Sequence, residues 1–144
     1  MKKKVLEEYA HVHDNIVLSY HVDICNEELK LITRYFEEEL VTITFKGVST
    51  HQFDHVTYQN MLMGIWRVPT DLFIEENKEL LEEYLNYGAP IVAQSCDELK
   101  KHLNETGQQV FEIGASIGLC GFVFAKEILI EVEPYPAKLK SPQA

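Results

Sequence analysis

The order of elements written in the chain predicts an α+β fold, a largely antiparallel β-sheet with two helices inserted between an N-terminal strand meander and C-terminal strands. Three observations carry this expectation. Apolar and polar residues alternate from Asn15 to Val48. Helical spacing appears once at length, between Asp71 and Gly88, with a shorter helix signalled after Ser95. Beyond Gly107, segments rich in β-branched and aromatic residues return as far as Glu133.

In NIVLSYHVDI, Ile16, Leu18, Tyr20, Val22 and Ile24 share one parity and Asn15, Ser19, His21 and Asp23 the other, which predicts a half-buried strand. LKLITRYF follows, then LVTITFKGV, in which Val41, Ile43 and Phe45 alternate with Thr42, Thr44 and Lys46. Short links between these three segments predict an antiparallel meander. HQFDHVTY and MLMGIWRV have strand-like composition, and the second is apolar on both parities, as expected of a strand covered on both faces.

Pro69 closes this first half. DLFIEENKELLEEYLNYG then predicts one helix, capped by Thr70 or Asp71 and ending at Gly88, with Phe73, Asn77, Leu80, Leu81, Tyr84 and Leu85 recurring at helical spacing. Ser95 and Glu98 have capping-box spacing and start a second helix, which Gly107 ends. VFEIGAS, LCGFVFA and EILIEVE read as three more strands, the last alternating Ile128, Ile130 and Val132 with Glu127, Glu131 and Glu133. The chain reads as a single domain over 1–144, with 1–10 and 134–144 as loose ends.

A formal charge of -10, from 13 Lys plus Arg against 23 Asp plus Glu, opposes nucleic-acid binding, which is driven by cations on the protein displacing counterions. The same charge suits a basic partner. MKKKVLEEYAHVHD lacks the continuous apolar run of a secretory signal because Glu7 and Glu8 interrupt it, and no apolar run approaches the ~20 residues needed to span a bilayer. A cytoplasmic protein without membrane contact is expected. Cys25, Cys96 and Cys120 are odd in number, widely spaced and in no CxxC arrangement, so they read as small buried apolar side chains rather than disulfide partners.

The glycine-rich GASIGLCG at 114–121 lacks the GxxxxGK[ST] of a phosphate loop and is followed by FVFA, strand-like rather than helical, so it fails the dinucleotide pattern as well. A hairpin in which Gly118 takes a positive φ, and Gly114 and Gly121 relieve crowding, is the expectation, and no cofactor is called for. Ser19, Ser49, Ser95 and Ser116 sit in no GxSxG elbow. Cys96 at a helix start could have a lowered thiol pKa, but positions 96 and 102 fall on different helix faces, away from a Cys–His pair.

Two classes of function lead, ahead of a third, an oligomeric structural component with a large apolar interface. Glu75, Glu76, Glu79, Glu82 and Glu83 line the polar side of the long helix, and Glu37, Glu38 and Glu39 form a second acidic run that could extend it. Together they are candidate partner-binding residues of a non-enzymatic protein. The alternative is a small metal-binding protein or metal-dependent hydrolase using His51 and His55, four residues apart and so on one side of a strand or helix, with His13 or Asp54 as a further ligand. That stretch is HQFDH rather than HExxH, so the general-base glutamate of a zincin is missing.

HDN at 13–15, ITFKGV at 43–48, NYGAPI at 86–91 and VFEIGASIGLCGFVFAKEI at 110–128 together resemble a group of small bacterial proteins, some regarded as immunity proteins against polymorphic toxins. Asn15, Ala89 and Ile117 stand where that group often carries Ser, Trp and Tyr. The resemblance spans about His13 to Glu133 and brings no catalytic residue with it. It implies a protein partner, a toxin, and a basic toxin would match the charge.

Overall fold

The computed structural model describes residues 5–87 and 93–140. In chain order these form β1 (Glu7–Glu8), β2 (Ile16–Asp23), β3 (Glu28–Tyr35), β4 (Glu39–Lys46), β5 (Thr50–Asp54) and β6 (Met61–Val68). Three helices follow, α1 (Thr70–Glu76), α2 (Lys78–Tyr87) and α3 (Cys96–Thr106), and then β7 (Gln109–Ile117), β8 (Cys120–Ala125) and β9 (Glu127–Pro134). Every strand pairing is antiparallel. The architecture is α+β, as expected, with helices inserted between two strand groups.

The ladder runs β5-β8-β7-β6-β2-β3-β4-β9. Its two ends are covalently continuous with its interior, because residues 47–49 carry β4 into β5 and Lys126 carries β8 into β9. The junction is also hydrogen-bonded, Lys126 N–H to Lys46 O at 2.9 Å and Ser49 N–H to Phe124 O at 3.0 Å. Residues 39–54 and 120–134 are therefore one long bent ribbon, and the sheet closes on itself as a six-membered cycle of strands. Closure removes most free edges, which would otherwise invite pairing with other chains.

Closure also sorts the side chains. Val17, Leu29, Leu31, Val41, Ile43, Phe45, Leu62, Ile65, Phe111, Ile113, Val123 and Ala125 point inward and form one core. Across β7 and β8 the alternate residues Val110, Phe122 and Phe124 point outward and meet Phe73, Ile74, Leu81, Leu99 and Leu103 of the helices in a second core. β7 and β8 are thus apolar on both faces, and the helices bury what the barrel leaves outside.

The single long helix expected over 71–88 is two helices, which makes three in all. The break falls at Asn77, whose φ of -113° and ψ of 19° leave the helical region. Its side-chain Nδ2 donates to Phe73 O at 2.8 Å and its own carbonyl accepts from Leu81 N–H at 2.9 Å, so both flanking turns stay satisfied. Neither Thr70 nor Asp71 caps the start. Pro69 holds that position without a side-chain bond, and Asp71 instead pairs with Lys100 of α3 at 3.3 Å. The expected end at Gly88 lies outside the described residues. Ser95 does cap α3, accepting from Glu98 N–H at 3.1 Å, and Gly107 ends it at φ 71°. Glu98 reaches one residue further back than a capping box requires, to Gln94 N–H.

β2 departs from the simple alternation. Register shifts between Val17 and Ser19, leaving Leu18 as the extra residue of a bulge. Ahead of the bulge Val17 faces the core, with Ile16 on the other face; beyond it Tyr20 and Val22 lie opposite the buried Leu31 and Leu29. Within the stretch expected to be a loose end, Glu7 and Glu8 pair with Arg67 and Trp66 of β6. Cys25, expected inside, is exposed.

GASIGLCG belongs to the β7–β8 hairpin. Gly118 turns it at φ 84°, and Asn60 Oδ1 accepts from Leu119 N–H at 3.0 Å and Thr57 N–H at 2.9 Å, tying the turn to the loop before β6. Gly114 lies opposite Gly64, and the ring of Trp66 is laid across both: a Cβ at Gly114 would sit 2.7 Å from Trp66 Cζ3. The glycines make room for an indole, not a phosphate.

Candidate functional site

Glu75 and Glu76 end α1, and Glu79, Glu82 and Glu83 ride α2. All five are exposed, while Phe73, Ile74 and Leu81 on the other side of the same helices are buried against β8 and α3. Burial of each of those apolar side chains is worth about 1.5–3 kcal/mol, which fixes the orientation of the helices and leaves the carboxylates outward. Among the described residues no lysine or arginine closes an ion pair with any of the five.

The local field is correspondingly negative. The Tyr84 hydroxyl on α2 is pushed above its ordinary pKa, first by burial and then by the charges of Asp54 and Glu83. The Cys96 thiol at the start of α3 is likewise raised, by burial first and by Glu82 next. That corrects the expectation of a lowered thiol pKa at this helix start, because acidic neighbours and desolvation outweigh the helix terminus.

Glu37, Glu38 and Glu39 do not extend this surface. They stand at the β3–β4 turn, and β3 is three steps from β7 in either direction around the strand cycle. They also occupy the far end of β4 from Gly47, where Gln108 at the exit of α3 donates to Gly47 O at 2.9 Å. Seven residues of strand, about 24 Å, separate those ends. Glu37 is half-buried and lies 3.8 Å from Arg34, and Glu39 is held in the ladder opposite Pro134.

The histidines are dispersed. His51 points into the barrel from β5, opposite Val123, and burial lowers its pKa. His55 lies past the end of the strand, exposed, at φ 61°, so the expected common side with His51 is lost. His13 is exposed beside Asp14, with Nδ1 2.9 Å from Met63 O. Asp54 accepts from Gln52 Nε2 at 3.2 Å. Among the described residues no three His, Cys, Asp or Glu side chains gather as a metal site would need.

Sequence reasoning missed a different feature, the window left in the barrel wall. Beyond Ile16, which pairs with Met61, β2 has a partner only on its β3 side, and β5 has one only on its β8 side, among the described residues. The two unpaired edges face each other, with Tyr20 and Phe53 in edge-on contact across them at 6.1 Å between centroids. Apolar alternation in β2 was a signal of an inward face, but carried no word on whether the neighbouring strand would be there.

No helix of the described residues is long and apolar enough to cross a membrane. No protein-family model matches the chain, and neither the search of curated proteins nor that of solved structures found a match.

Proposed function

We propose that the protein is a non-enzymatic binding module that presents the glutamates of α1 and α2 to a basic protein partner. The observation that carries the reading is a helix pair anchored by Phe73, Ile74 and Leu81 that turns to solvent five carboxylates without an ion pair to Lys or Arg among the described residues, on a chain of net charge -10. Such a surface accelerates encounter with a cationic protein and selects against acidic ones. The resemblance to immunity proteins supplies a fitting partner class, a basic toxin domain in the same cytoplasm, neutralised by occupation of its surface.

Affinity capture from cells of the source organism at about 0.05 M and about 0.5 M salt tests this, since exposed charge pairs are screened over that range. A basic protein retained at low salt, lost at high salt and lost after Glu79→Gln, Glu82→Gln and Glu83→Gln is the expected result. Capture of an acidic protein, or capture indifferent to salt and to these substitutions, refutes the reading.

A further inference from the structure

The window between β2 and β5 is bounded on all sides. Val17 N–H donates to Asn60 O at one end, and Val48 N–H donates to Glu27 O at the other, both at 2.8 Å. Between these bonds run two strand edges whose outward backbone groups have no strand partner among the described residues. Large apolar side chains crowd the β2 edge: Leu18, Tyr20, Val22 and Ile24 are 44%, 43%, 47% and 83% exposed. Four such residues on one eight-residue strand and its turn are more than scattered surface hydrophobics, and an unblocked edge beside them is a template for strand addition.

At the Glu27 end the window opens into a cavity of about 280 Å³ lined by Val22, Ile24, Glu28, Thr50 and His51 among others. Its lip is acidic. Asp23 and Glu28 lie directly opposite one another in the β2–β3 ladder, with Asn26 hydrogen-bonding the Asp23 carboxylate and Lys46 of β4 opposite Glu28 on its other side. Glu27 adds a third carboxylate from a backbone at φ 53°.

We propose that this window receives an extended, basic segment of a partner protein, added as a strand to the free edge of β2. Its inward residues, apolar, pack on Tyr20, Val22 and Phe53, and its outward residues, lysine or arginine, meet Asp23, Glu27 and Glu28. The period of two along a strand matches this arrangement of apolar floor and acidic lip. A second copy of the chain fits worse, because it would bring its own acidic lip and a charge of -10 to the contact. The inference rests on the reading of a basic protein partner and names where part of it would bind.

A capped seven-residue peptide alternating lysine and valine, with a glutamate–valine counterpart, is the probe, followed by amide chemical shifts of the intact protein. The lysine peptide is expected to move amides at 17–24 and 50–54, and the glutamate peptide to leave them still. Val22→Lys with Ile24→Lys, at exposed positions, should weaken binding at least about tenfold, while Glu79→Gln with Glu83→Gln leaves it within about twofold. Shifts confined to the helices, equal response to both peptides, no response, or concentration-dependent shifts at β2 without peptide, as a second copy would give, overturn the inference. None of those outcomes touches capture through the helix glutamates, which the salt-dependent experiment reads separately.

Discussion

Trp66 shows how one side chain accounts for two residues that otherwise look like a ligand loop. Its ring covers Gly64 and Gly114, and a methyl group at either position would fall within 2.5–2.7 Å of ring carbons. Gly114→Ala should therefore destabilise the protein by about 1–3 kcal/mol in urea denaturation, and the cost should shrink in a Trp66→Leu background, where the ring is gone. Asn60 is a second such residue: its side chain accepts from Thr57 and Leu119 N–H and donates to Thr57 O. Asn60→Ala strands the buried Leu119 N–H, and a loss of about 1–3 kcal/mol is expected by the same measurement. His51 contributes a pH dependence of known sign. Burial lowers its folded pKa below 6.5, so the unfolded chain takes up the proton first. Stability is unaffected above about pH 6.5 and falls progressively below it, until the folded pKa is passed. Melting curves between pH 7 and pH 5 should show a decline that His51→Phe reduces. The spacing of glycines was visible in the sequence, but Trp66, about fifty residues from Gly114, became their explanation only through the β6–β7 register.

Among the elements, α3 was the most legible. Ser95, Glu98 and Gly107 are local signals for local hydrogen bonds, and the structure uses Ser95 and Gly107 as the spacing suggests. Ser95→Ala should cost about 0.5–2 kcal/mol, measured by urea denaturation, because an N-cap acceptor has no substitute at that helix end. The α1–α2 break was illegible for the opposite reason. Helical periodicity persists through Asn77, and the two sides of the break, Phe73 and Ile74 before it and Leu81 after it, join one buried cluster with Leu99 and Leu103 of α3 and with Val110, Phe122 and Phe124 of the sheet. β2 follows the same logic, since a bulge at Leu18 inverts which parity faces inward without leaving any mark in composition.

In the whole molecule, stability should follow neighbours in the strand cycle. β4 is paired on both sides, with β3 and β9, along its full length, whereas β5 and most of β2 are paired on one side. Amide hydrogen exchange should be slowest in 40–45 and measurably faster in 51–54, and equal protection across the two would contradict the ladder. Alternating patterns, caps and turn residues lie within a few positions of one another, so the chain itself established the class of fold, most strand segments, α3 and its acidic character. Closure of the ribbon 39–54 with 120–134, the separation of Glu37–Glu39 from the helix glutamates, and the window between β2 and β5 arose from pairings between residues some eighty positions apart. Those pairings are chosen by how two apolar layers bury each other at once, a condition no local stretch of sequence can express.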